Sequence, residues 1–166
     1  VFTKAFKKRH GIKPKQALSL IQNMRETLDH IHSKKILVVD YNEMNFLVND
    51  GFTEVYYIDV DSYQTPHYQA TALMESVRDR HAPLNKFNMG TDWFAFAVVT
   101  FQIMSGIHPY KGKHPRFQGF DERMLHNISV FNSDVKVPKA VSEFHKIIPQ
   151  ALHEWYRQVF EEKLRC

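Results

Sequence analysis

Cysteine is almost missing from this chain: the one thiol, Cys166, is the last of 166 residues, so no disulfide can close within it. A reducing compartment is the simpler setting for such a sequence, and the cytoplasm is the expected location. Long hydrophobic runs are missing too. None approaches the ~18 residues of a membrane-spanning helix, and no signal-peptide core follows the N-terminus, so no membrane partner is expected. Glycine is scarce, and the six present (11, 51, 90, 106, 112, 119) make no G-x-G-x-x-G loop of the kind that cradles phosphates. The ten histidines lack the C-x-x-C or H-E-x-x-H company that makes zinc credible.

What remains is ordinary for one soluble globular domain: 43% apolar and 24% charged residues, a balance that argues against disorder. Part of the formal charge of +4 comes from Lys4, Lys7, Lys8, Arg9, Lys13 and Lys15. Without aromatic interleaving, this cluster reads as a solvated basic face, and no nucleic-acid partner is expected. The chain opens on Val1 rather than Met, which suggests a truncated reading frame with something missing upstream.

Apolar side chains at 17, 20, 21, 24, 28 and 31 give residues 16–35 the spacing of a helix with one buried stripe. "ILVVD" (36–40), "FLVND" (46–50) and "EVYYIDVD" (54–61) read as short strands around an Asn-Asp-Gly turn, with a hairpin from about 46 to 58. Residues 62–90 have no convincing period. The segment 91–105 is apolar all round and belongs at the centre of the fold, with Thr91 or Asp92 as its N-cap and Gly106 after its end. One helix is expected near 120–128, and another near 149–164 with Leu152, Trp155, Tyr156, Val159 and Phe160 on one face.

The hairpin brings Asn45 and Asp59 to one open end, and Asp40 leads into it. Singly, each reads as a turn residue. Together they form an oxygen-only set suited to Mg²⁺, a hard cation that keeps waters and takes other ligands from phosphates, with a further carboxylate free to accept a proton from a hydroxyl.

In order and spacing, the chain from about 16 to 165 resembles the C-terminal lobe of a eukaryotic-like (Hanks-type) Ser/Thr protein kinase. Val38-Val39-Asp40-Tyr41-Asn42-Glu43-Met44-Asn45 stands where that family has H-R-D-L-x-x-x-N, and Asp59-Val60-Asp61 where it has D-F-G. The resemblance implies a mainly α fold with a short hairpin at the catalytic loop, Asp40 as catalytic base, Asn45 and Asp59 as Mg²⁺ ligands, and ATP as phosphate donor. It also implies that Asp92 braces the catalytic loop and that Glu75 forms an ion pair with Arg165.

On this reading residues 1–166 form one domain. It comprises a basic N-terminal segment (1–15), a helix (16–35), the catalytic loop and metal motif (36–61), an activation-loop-like segment (62–90), the central buried helix (91–105) and a C-terminal helical part (106–166). The expected partners are a protein substrate with a Ser or Thr hydroxyl, or a scaffold partner, and an N-terminal lobe that this chain lacks.

Several positions depart from the family pattern. Val38 and Val39 replace its His and Arg, Asn42 its usual Lys, and Asp61 its Gly. No Lys sits in a V-A-I-K-like strand. The expected activity of this chain is therefore weak or nil. A pseudokinase or scaffold lobe and a small-molecule kinase of the aminoglycoside type are the alternatives, the latter because it also uses an Asp-to-Asn loop without the Lys.

Overall fold

The computed structural model describes residues 2–71 and 73–166; Val1 and Ala72 lie outside the described residues. It is mainly helical, with one two-stranded sheet. In chain order the elements are α1 (Lys4–Arg9), α2 (Pro14–Ser33), β1 (Phe46–Val48), β2 (Val55–Tyr57), α3 (Met89–Ser105), α4 (Phe120–Leu125), α5 (Phe144–Ile147) and α6 (Gln150–Glu161).

Helix α2 starts at Pro14, where a missing N–H costs nothing, and the Gln16 side chain reaches back to accept from Lys13 N at 3.0 Å. Ala17, Leu20, Ile21, Met24 and Leu28 are buried along one face, joined a turn later by His32. Strands β1 and β2 pair antiparallel, Phe46 with Tyr57 and Val48 with Val55. Their loop is shaped by Asn49, whose Oδ1 accepts from Thr53 N (2.8 Å) and Glu54 N (3.1 Å).

Helix α3 is the axis of the fold. Nearly every residue from Phe94 to Ser105 is buried, so no face is left for solvent. Its interior hydroxyls satisfy themselves within the helix: Thr100 donates to Phe96 O and Ser105 to Phe101 O, each at 2.7 Å. Around Phe101 the rings of Phe131, Phe144, Tyr156 and Phe160 sit edge-to-face at 5.2–5.7 Å, tying α3 to α5 and α6. The helix stops at Gly106, which takes a left-handed φ of 80°.

Four expectations need correction. The N-cap of α3 is Asn88, in a reciprocal pair with Thr91, and not Thr91 or Asp92. Residues 36–40 are not a strand: only Leu37 bridges, to Gln64, because the next two amides are drawn out of any ladder by Asp92. The helix near 120–128 ends at Leu125, where the chain turns through Asn127 at φ 55°. The basic N-terminal segment is only partly a solvated face. It folds into α1, whose Lys7 Nζ donates to the last carbonyls of α3, Ile103 O at 2.7 Å and Met104 O at 2.9 Å, at the negative end of that helix.

Phe101 joins four of these rings across three helices and the loop that carries Phe131. Truncating it in Phe101→Ala leaves a cavity at the meeting point of three helices and is expected to cost roughly 3–5 kcal/mol. Urea unfolding of the two proteins checks this; a loss under about 1 kcal/mol, the middle of the range for ordinary substitutions, would show that the ring cluster is not the centre of the core.

Candidate active site

Residues 36–45 have almost no ladder of their own, so side chains must hold their backbone. Asp92, wholly buried in the first turn of α3, does most of this. Its Oδ2 accepts from Val38 N at 2.8 Å and its Oδ1 from Val39 N at 2.9 Å. His32, also buried, lies with Nε2 2.9 Å from Oδ2. These contacts hold Val39 at φ 63°, a left-handed conformation that a β-branched residue adopts only under constraint.

Tyr41, on the other side of Asp40, is fixed by a different device. The Tyr57 hydroxyl donates to Met24 O at 2.8 Å, so its oxygen is left to accept from the Tyr41 hydroxyl at 2.7 Å. Burial raises the Tyr41 phenol well above its ordinary range, which keeps it neutral as a donor. The chain of hydroxyls links the loop to β2 and to the middle of α2. Asp40 is thus held between two anchored neighbours.

The candidate residues converge in part. Asn45 Nδ2 donates to Asp40 O at 2.9 Å and lies 3.4 Å from Asp40 Oδ2. The backbone of Asn45 is linked to the residue just after β2, Ile58 N to Asn45 O at 3.0 Å, so Asp59 begins one residue beyond this contact. Asp59 is exposed and left-handed (φ 59°, ψ 50°), and among the described residues no hydrogen bond occupies its carboxylate. With its amide nitrogen committed to Asp40 O, the Asn45 oxygen is also without a donor among the described residues. Two hard oxygen groups therefore have no protein partner among the described residues, a donor type that suits Mg²⁺ completing its shell with water and phosphate. No group of three or more His, Cys, Asp or Glu is placed to hold a metal among the described residues.

Asp40 itself is half-buried, and its Oδ1 accepts from Met74 N at 2.6 Å, bringing the 62–90 segment across the loop. Oδ2 is the less engaged oxygen. Asn42, at the position of the family's Lys, turns inward: its side chain is buried, with Oδ1 accepting from Met44 N at 2.8 Å. It shapes the loop and offers no charge. Asp61 lies within a short 3-10 turn, Val60–Ser62, without a positive φ, so this backbone does not require the glycine found there in kinases.

The expected pair of Glu75 with Arg165 does not form. Arg165 instead grips the buried Asp79 through two bonds, Nε to Oδ2 at 2.6 Å and Nη2 to Oδ1 at 3.0 Å, with its guanidinium 4.7 Å from the centre of the Phe94 ring. Glu75 lies at the surface with Arg78 (2.9 Å) and Arg80 (3.1 Å). His108, which the sequence reading passed over, anchors the same segment. Burial holds its pKa down to about 3, and the neutral ring accepts from Tyr110 N on Nδ1 and donates from Nε2 to Ser76 O at 2.9 Å. The "HPY" turn directly after the apolar helix was the available signal.

No family model matches the chain. It is similar to a viral protein kinase. Serine/threonine-protein kinase 1 of Heliothis zea nuclear polyhedrosis virus is 21% identical over 142 residues, covering 78% of this chain and 52% of the relative. The chain thus spans about half the length of the curated relative it matches. A mainly helical fold with one small hairpin is compatible with a kinase-like C-terminal lobe. No helix among the described residues is long and apolar enough to cross a membrane.

Asp79→Asn leaves the Arg165 guanidinium short of its counter-charge in a mostly buried place and is expected to destabilise by roughly 3–5 kcal/mol. Glu75→Gln, in solvent, is expected to change stability by no more than about 0.5 kcal/mol. Thermal and urea unfolding of both variants provide the check; equal effects would return Glu75 to the role of anchor.

Proposed function

We propose that this chain is the catalytic lobe of a phosphotransferase of the Ser/Thr protein-kinase type, which moves the γ-phosphate of ATP to a Ser or Thr hydroxyl on a protein. The observation that carries this reading is the junction of Asp40, Asn45 and Asp59. The first two are hydrogen-bonded to each other, and the third stands one residue past a backbone bond to the second, with its carboxylate uncommitted among the described residues. Similarity to a viral kinase supports it.

In this reading Asp59 and the Asn45 oxygen hold Mg²⁺, which when bound would neutralise charge on the ATP phosphates. Asp40 Oδ2 accepts the proton of the substrate hydroxyl, while Oδ1 remains on Met74 N and keeps the 73–75 stretch beside it as part of the substrate floor. Leu47 and Tyr56, paired across the hairpin, are 56% and 52% exposed, and Ile58 and Val60 extend the same apolar surface next to Asp59. So much apolar area beside a polar site suits a nucleotide base and a covering N-terminal lobe.

One observation favours a second reading, a pseudokinase or scaffold lobe. Asn42 is turned inward, so no cation stands where kinases use Lys near the transferred phosphate. The two readings separate by turnover with bound nucleotide.

In the full-length protein that contains this chain, Asp40→Asn is expected to lower phosphate transfer about 10²–10⁴-fold, the usual worth of a positioned base, with Mg·ATP affinity little changed. Radiolabelled transfer to protein substrates checks it, and undiminished transfer removes Asp40 from the mechanism. Asp59→Ala is expected to weaken Mg·ATP binding itself, read by calorimetry with and without Mg²⁺. Equal affinities in the variant and its parent would end the ligand assignment.

A further inference from the structure

At the end of α3 far from Asp92, the chain encloses a half-open cavity of about 180 Å³ between α1, the start of α2 and residues 140–147. Ala17, Met104 and Phe144, all buried, form its apolar floor, and Ile12, Val141 and Ile147 its walls. Its polar lining is dominated by one sign of charge: Lys4, Lys7, Lys13 and Lys146 against the single carboxylate of Glu143.

Two of these four ammonium groups have a partner elsewhere in the lining. Lys4 Nζ donates to Ala140 O at 2.7 Å, and Lys146 is paired with Glu143 at 2.6 Å. Lys7 differs, because it is half-buried and two of its three N–H groups go to Ile103 O and Met104 O. The third has no acceptor among the described residues, and Lys13 Nζ, at the same cavity, also has none. A half-buried cation short of a counter-charge is costly, and an anion at this spot would relieve it.

We propose that this cavity is a binding site for a small carboxylate with a compact apolar body, its carboxylate on Lys7 and Lys13 and its ring or branched chain on Ala17, Met104 and Phe144. At about 180 Å³ the cavity is of the size that admits one six-membered ring. Inorganic phosphate is the wrong class, since it would be stripped of water against an apolar floor with nothing to bury. Consistent with the geometry, desolvation and then the neighbouring Lys4 charge bring the Lys7 pKa down to about 8, the condition a bound carboxylate would reverse.

The site is independent of the phosphotransfer reading, and so is its test. Protein carrying ¹³C-labelled Met and Ile methyls is titrated with cyclohexanecarboxylate, with its neutral amide and with inorganic phosphate. The expected result is saturable movement of the Met104 and Ile147 methyl signals by the carboxylate, binding roughly tenfold or more weaker for the amide, and no movement with phosphate. Lys7→Met should abolish the preference for carboxylate over amide. Ala17→Leu, which fills the floor and leaves Lys7 charged, should abolish binding of both. No saturable shift with the carboxylate, equal affinity for the amide, matching shifts with phosphate, or unchanged binding in Ala17→Leu would each overturn the proposal.

Discussion

A single buried carboxylate holds the candidate site to the core. Asp92 lies in the first turn of a helix that is otherwise apolar, and taking its charge out of water is tolerable only because its hydrogen-bond capacity is used: two backbone amides of the catalytic loop and the ring of His32. The helix N-terminus adds a favourable field. In return, the loop gains the geometry it cannot make alone. Val38 and Val39 cannot both give their amides to Asp92 and join a strand, so the expected strand at 36–40 is lost and the Val39 backbone is forced left-handed. Position 39 therefore carries local strain that the packed α3 maintains.

The same logic of a buried charge with several partners recurs at the other edge of the site. Arg165 is bound by Asp79, by the carbonyls of Val159 and Leu164, and by the face of Phe94. It joins the chain after α6 to the segment that crosses Asp40. His108 pins that segment a second time, and burial, by lowering its pKa, keeps the ring neutral near pH 7 with one nitrogen as donor and the other as acceptor. The 73–79 stretch is thus irregular in conformation yet tied at Met74, Ser76 and Asp79.

How much of this was legible in the sequence follows from where each signal resides. Helices α2 and α3 and the hairpin were readable because burial imposes a period, and a buried stripe or an all-apolar run records it directly. That Asp59 follows directly on the residue bonded to Asn45 was readable because hairpin pairing fixes which residues meet at its open end. The partner of Arg165 was not. Glu75 and Asp79 are four residues apart in a stretch without period, and only the packed structure decides which carboxylate is inside. The Tyr41–Tyr57 link was hidden for a related reason, since their hydroxyls matter only through a contact sixteen positions apart. The Asn88 cap and the Lys7 contact with the end of α3 are partnerships of single polar atoms, which leave no periodic trace.

The two faces of the hairpin carry the remaining argument. Phe46 and Tyr57 point their rings at Tyr41, at 4.6 and 5.7 Å, and so belong to the support of Asp40. Alternation along a strand then sends Leu47 and Tyr56 to the opposite side, where they are exposed. The residues that stabilise the loop around Asp40 thereby dictate an apolar outer surface at the mouth of the candidate site. The hairpin is three residues per strand, too short to hold itself, and it depends on Tyr57 bonding to α2 and on Asn45 bonding to Ile58 and Asp40. Loop geometry, the placement of Asp59 and the outer surface are consequently one structural unit, and a change at Tyr57 would be felt at Asp59 without any contact between the two side chains.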